Sequence, residues 1–341
     1  MAIGSGIGAQ LMIGAEATVG TAVTPTRTLE FNSETLKLSK QIVQGTGLRS
    51  VGLYDRAGRR NFTTKTAAGD INLDVATSGM GLLFKGMLGA SASGLVSGTA
   101  FQQVHSVGSL VGSALTVQKG IPQTDGTVKP FTYNGCKVMS WDLACAVGGI
   151  LNCRVGLDAW NEATATALAT PVYAATSNIF HFAQGSLTLG GTVTTTAGVA
   201  SVAGGTVAAS IKGATVSGTN GLKTDRFFLG SAGIKAEQIE NAMRGLTGTL
   251  DAEFVNQATI YDVFAADAAS TLKLTFTGTT AISAGVFAVC EILIPHIRFD
   301  GESPTANNPD VVGLSAGFTG LDDGVNSPIQ IRYVTTDTTV S

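Results

Sequence analysis

The sequence predicts a mainly β protein built from two tandem copies of one β-rich module, each carrying a short flanking helix. Three observations predict it. Charged residues make up only 13% of the 341 residues, while 44 Gly and long runs of Thr, Ser, Val and Ala favour short strands and tight turns. A strand-then-helix unit occupies residues 69–89, GDINLDVATSGMGLLFKGMLG. The same unit returns at residues 248–268, GTLDAEFVNQATIYDVFAADA.

In the first unit Ile71, Leu73 and Val75 alternate with Asp70, Asn72 and Asp74, giving an extended chain one apolar and one polar face. Met80, Leu83, Phe84, Met87 and Leu88 then fall at the spacing of a helix with one buried stripe, with Ser78 as expected cap and Gly89 as expected stop. In the second unit Leu250, Ala252 and Phe254 take the strand positions, Ile260, Val263 and Phe264 take the stripe, and Asn256 serves as cap. Upstream, Gly47-Leu48-Arg49 is echoed by Gly221-Leu222-Lys223. The expected divisions are an N-terminal arm at 1–24, module one at 25–165 and module two at 178–341.

Taken in order, residues 1–24 are Gly-punctuated around a short apolar centre at Leu11 to Ile13, which suits an arm on a surface better than a core strand. The segment 28–38 carries two short alternating runs. Between 44 and 65 the pattern weakens and charge of one sign accumulates, Arg49, Arg56, Arg59, Arg60 and Lys65 against Asp55 alone. A long loop of that kind reads either as a solvated loop or as a contact arm reaching a negative patch on a neighbouring subunit. Residues 91–113 fit no period.

The clearest hairpin spans 136–159. With Gly148-Gly149 as a two-residue turn, Cys145 faces Asn152 and points away from Cys153, and both faces of the hairpin are partly apolar. Residues 186–221 are almost entirely Thr, Val, Ala, Ser and Gly, expected as hairpins of weak register. Strands at 271–277, 286–299, 311–321 and 329–336 close the chain.

Several chemistries are argued against. A net charge of −3 supplies no basic field for nucleic acid or an anionic membrane. The first twenty residues lack a secretory signal and no apolar run reaches membrane-spanning length, so synthesis in the cytoplasm is expected. Cys136, Cys145, Cys153 and Cys290 form no CxxC pair and no ligand rhythm with His105, His181 or His296, so free buried thiols and no metal are expected. Gly313-Leu314-Ser315-Ala316-Gly317 has the letters of a nucleophile elbow, yet no histidine follows Ser315 and no helix pattern begins there. Neither a dinucleotide fingerprint nor a P-loop is present, and no enzyme or cofactor is expected.

Three blocks carry a resemblance: SGIGAQLMIGAEATVGTAVTPTRTLEFNSETLKL, the unit at 69–89, and LTVQKGIPQTDGTVKPFTYNGCKVMSWDLACAVGGILNCRVGLDA. In this order the chain resembles the tail tube (major tail) proteins of long-tailed, non-contractile bacteriophages, most closely over its first half. The resemblance implies β-sandwich modules with flanking helices, set in a ring whose inner sheets line a channel. Rings would stack through the N-terminal arm and the long loop, making Arg49, Arg56, Arg59 and Arg60 inter-ring contacts, with 221–245 as the loop's second copy. Met80, Leu83, Phe84, Ile260, Val263 and Phe264 would be the helix cores. Implied partners are further copies of the chain, as a trimer of two-module chains ahead of a hexamer, the tape-measure protein, the tail terminator and tail-tip proteins, and phage DNA in passage, all in a virion tail assembled in the host cytoplasm. A capsid-decorating or adhesin-type β-sandwich is the alternative that shares this composition.

Overall fold

A computed structural model describes residues 4–174, 176–208, 210–301, 303–306, 309 and 311–340. The protein is mainly β, with 53% of residues in strands and 7% helical. The first half contains β1 (Gln10–Ala15), β2 (Arg27–Leu29), β3 (Ser33–Glu34), β4 (Lys37–Gln44), β5 (Arg60–Asp74) and α1 (Gly81–Leu88). It continues through β6 (Gly89–Ser97), β7 (Ala100–Val107), β8 (Leu115–Pro122), β9 (Val128–Ala146), β10 (Asn152–Ala159) and β11 (Asn161–Ala163). The second half runs through β12 (Gly185–Leu189), β13 (Thr192–Thr196), β14 (Val199–Ala203), β15 (Thr206–Val207), β16 (Ile211–Thr219), β17 (Leu222–Lys223) and β18 (Ile239–Glu240). It ends with β19 (Gly245–Glu253), α2 (Tyr261–Ala265), β20 (Ser270–Ser283), β21 (Val286–Asp300), β22 (Gly313–Gly320) and β23 (Gln330–Thr335).

Two long strands organise the sheets, because each is shared between two layers. The C-terminal half of β9 pairs with β10, giving the order β4–β5–β10–β9. Its N-terminal half pairs with β8 and β11, giving β2–β1–β8–β9–β11. In the second half the end of β21 pairs with β22, giving β16–β19–β22–β21. The rest of β21 pairs with β20 and β23, giving β15–β12–β20–β21–β23. All these pairs are antiparallel, as short loops allow.

Among the described residues two pairings of named strands join the halves. β16 pairs with β9, joining the four-strand runs into one eight-strand sheet, β4–β5–β10–β9–β16–β19–β22–β21. β7 pairs with β23, so the β6–β7 hairpin extends a layer made by the other half of the chain. One face of the eight-strand sheet is core: Ile71, Leu73, Val155, Trp141, Leu143, Val216, Leu250, Ala316 and Phe318 are all buried. Glycine serves this packing where rings cross a neighbouring strand. Trp141 lies over Gly218 and Phe318 over Gly248, where a Cβ would collide with the ring.

Four expectations are corrected. First, β1 is a core strand and not a surface arm: Leu11, Met12 and Ile13 are 0–2% exposed, between β2 and β8. The segment 167–169 covers its second face, through Gln10 Nε2 to the Ala169 carbonyl (2.7 Å) and the Ala169 N–H to Gln118 Oε1 (2.7 Å). Buried Glu16 then pins the following turn by accepting from Gly20 N–H, Gly135 N–H and Thr116 Oγ1.

Second, the β9–β10 turn closes one residue earlier in register than the expected pairing, with Asn152 opposite Ala144 and Cys153 opposite Leu143. A one-residue slip exchanges the faces. Cys145 and Cys153 therefore share a side, both buried and free. The other face near the turn is polar, carrying Asp142, Asn152 and Arg154, while Val147 and Ile150 at the turn are exposed. Third, Met80 rather than Ser78 is the N-cap residue of α1, and it makes no side-chain cap bond. Gly89 does end α1, at φ 104°, its N–H reaching the Lys85 carbonyl. The N-cap residue of α2 is likewise Ile260 and not Asn256, whose side chain instead accepts from Thr259 N–H (3.0 Å) in the turn ahead of the helix. Fourth, most of residues 91–113 belongs to the β6–β7 hairpin, which carries a register shift between Leu95 and Ser97.

Candidate assembly surfaces

The helix stripes sit where the apolar spacing puts them, with different depth. Met80, Leu83 and Phe84 are 0–2% exposed. The Phe84 ring meets His105 and Tyr333 edge-on at 5.6 and 5.5 Å. Burial lowers the His105 pKa to about 3, so the ring is neutral in the core. In the five-residue α2, Ile260 is buried but Val263 and Phe264 are only half-buried, packed on the edge of the same core.

Arg49, Arg56, Arg59 and Arg60 fall together on the β4–β5 hairpin. Its distal half is exposed on both sides, Ile42, Val43 and Phe62 included, so it projects from the body. The tip is ordered by its own backbone: Gly45 N–H bonds the Arg59 carbonyl (3.1 Å), Gly52 N–H the Arg49 carbonyl (3.0 Å) and Arg59 N–H the Arg56 carbonyl (3.0 Å). The Gln44 side chain bonds the Arg56 carbonyl (3.1 Å). Arg56 is half-buried against this turn and the other three arginines are exposed. Charge alone did not reveal the tip's second character, since Leu48, Val51, Leu53 and Tyr54 are each more than 90% exposed. Such a cluster on a projecting turn is an apolar patch open to solvent.

The loop expected to be its second copy behaves differently. Residues 221–244 fold back on the first half of the same chain. Lys235 Nζ, 1% exposed, bonds both oxygens of Asp158 (2.6 and 2.7 Å) and Thr66 Oγ1 (2.6 Å). Burial pushes the Asp158 carboxyl up and the Lys235 ammonium down, against their mutual attraction. Gln238, fully buried, donates to the Gly135 and Asp158 carbonyls and accepts from the Trp160 indole N–H (3.0 Å). Lys137 holds Glu237 (2.7 Å), Arg244 bonds the Leu88 and Gly108 carbonyls, and Lys65 N–H bonds the Gly233 carbonyl.

The remaining face of the eight-strand sheet is polar. Arg154 bridges Asp70 (2.9 Å) and Asp142 (3.2 Å), and Lys212 pairs with Glu253 (2.8 Å). Thr215, Ser217, Thr247 and Thr249 carry the face across the centre, with Asp251 and Asp300 exposed beyond. Ser315 is one more exposed position on it, in mid-strand opposite Asp251, which is no nucleophile elbow. Among the described residues no group of three His, Cys, Asp or Glu side chains could hold a metal ion. Nor, among the described residues, is any helix long and apolar enough to cross a membrane.

Layered antiparallel sheets, a projecting hairpin and open strand edges define a β-rich protein with strand edges free to pair. The chain belongs to the phage tail tube protein family, whose pattern it matches over residues 6–320. It is thereby a structural component of a phage tail. No curated protein matches the sequence. Among solved structures, a Pseudomonas aeruginosa FadL homologue aligns at 9% identity over 80% of this chain and 62% of that one, with a TM-score of 0.09, a likeness that carries no argument.

Proposed function

We propose that the protein closes, three chains at a time, into rings that stack as the tube of a long, non-contractile tail and give the phage genome its path. The observation that carries this reading is the continuous eight-strand sheet with one core face, one polar face and two unfinished ends. Among the described residues β4 has a sheet neighbour only in β5, and the end of β21 from Arg298 to Asp300 has one only in β22. An open edge is an aggregation hazard unless it is paired, and closure with copies of itself pairs both ends of this sheet.

Two tandem modules are supported by strand order. β4–β5–β10–β9 in the first half is matched by β16–β19–β22–β21 in the second, and β1–β8–β9–β11 by β12–β20–β21–β23. Three chains then contribute twenty-four strands, a cylinder about 45–50 Å between opposite backbones at ordinary strand spacing and tilt. The polar face would line it. On it Arg154 and Lys212 are engaged by carboxylates, and exposed Asp251 and Asp300 add negative charge, which works against retention of nucleic-acid phosphates and suits a conduit that must release its cargo.

In this reading the tape-measure protein fills the channel before the genome does, and terminator and tip proteins close the ends. The N-terminal arm shrinks to the residues ahead of β1. Negative-stain microscopy of the purified protein is the test. Hollow rods with three chains per ring are expected, and discrete globules at high concentration would refute the proposal.

A further inference from the structure

Within one chain, one half already receives a loop from the other. Because β16 lies beside β9, the loop after β16 comes down on the outer ends of β9 and β10. By strand order, β4 stands to β5 as β16 stands to β19, and β21 with β22 stands as β9 with β10. The backbone repeats this correspondence where the strands leave the sheet. Trp160 N–H bonds the Asn134 carbonyl (2.9 Å), and Leu321 N–H bonds the His296 carbonyl (2.9 Å).

What differs is the cover. Trp160 is half-buried beneath the docked loop, its indole N–H bonded to Gln238, whereas Leu321 is 42% exposed. Asp158 takes Lys235, whereas Thr319, at the matching place, donates its hydroxyl to the exposed carboxylate of Asp300 (2.7 Å). Asp322 and Asp323 follow Leu321 and are exposed, and Arg298 pairs with Asp267 (3.6 Å). The second seat is therefore acidic with an open apolar residue. The β4–β5 tip is basic, with Leu48, Leu53 and Tyr54 open beside its arginines.

We propose that the β4–β5 tip of one copy seats on the β21–β22 end of a second copy, its arginines facing Asp300 and Asp322 and its apolar residues covering Leu321. The chain's own docked loop is the pattern for this contact, which lies between lateral neighbours in a ring rather than between rings. The inference rests on the tube reading and deepens it by naming the arm's seat.

The test compares wild type, the variant Arg56→Glu/Arg59→Glu/Arg60→Glu, and that variant combined with Asp300→Arg/Asp322→Arg, by size-exclusion chromatography with light scattering and by microscopy, with circular dichroism checking the fold. The proposal expects a folded monomer for the arginine variant and recovered rods for the combination. Unstacked rings of three from the arginine variant would overturn the lateral seat while leaving the tube reading intact, as would normal rods, or monomers that the second change fails to rescue. A wild type that never assembles would sink the tube reading instead. Independently, Arg56→Cys paired with Thr319→Cys should give a bismaleimide-linked species between copies in assembled rods, against a background of four buried native thiols. Its absence from rods would also overturn the seat.

Discussion

The loops after β4 and after β16 occupy the same place in two matching strand orders, yet one projects and the other is clamped. The free tip holds itself together with backbone bonds and leaves its long side chains outside. The clamped loop hides a lysine, a glutamine and a carboxylate network. Strand pairing fixes where a loop starts, and what the loop meets decides whether it becomes a rigid part of the body. The helices differ in the same manner, α1 enclosed by β7 and the C-terminal strand, α2 resting on the rim.

The sharpest way to break the comparison is Lys235→Ala, which leaves Asp158 buried and unpaired. We expect a loss of about 3–5 kcal/mol of unfolding free energy by urea titration, the range for breaking a buried ion pair. An effect below about 1 kcal/mol would mean that the clamp is as loose as the free tip. Next in size is the contrast between helices. Phe84→Ala should cost about 3–5 kcal/mol as a core cavity, and Phe264→Ala, half-buried, roughly a third of that. Equal losses would contradict the difference in depth.

Acid sharpens the comparison further. Burial pushes the Glu237 carboxyl up, but the bonds from Lys137 and Gly112 N–H outweigh it and hold the group below its ordinary 4.5. A carboxylate depressed in the folded state adds stability above its unfolded value, and that stability is lost as pH falls through the folded value. Glu237→Gln should therefore lower stability at pH 7 and flatten the decline below pH 4.5, seen in denaturation midpoints at both pH values. An unchanged acid slope would remove Glu237 from the clamp. The smallest effect is expected at the free tip, where Leu48→Ser with Leu53→Ser should move the stability of the unassembled chain by no more than about 0.5 kcal/mol.

Local features were legible before the fold was seen. Ile71, Leu73 and Val75 alternate because a strand has two faces, and Met80, Leu83 and Phe84 line up because a helix has a stripe. Neither depends on distant residues. The closing strands from β20 to β23 were legible for the same reason. The β6–β7 hairpin was not, since its Ala and Ser residues show no period and its strand identity comes from pairing with β23, more than 200 positions later. The arm at 1–24 failed similarly, because the cover of Met12 is supplied by residues 167–169. At the β4–β5 tip the arginines were visible as a run of charge. The exposed leucines beside them were not, because an apolar letter does not say whether anything covers it.

By itself, then, the sequence determined the β class, the strand-and-helix unit and its return, since these rest on side-chain periodicity within a few turns of chain. Only the tertiary structure decided the one-residue register of β9 with β10, the burial of β1, and which of two equivalent loops is clamped. Each of those is settled by hydrogen bonds and desolvation between residues remote in sequence, as where Lys235 meets Asp158, 77 positions away, beside the pairing of β16 with β9.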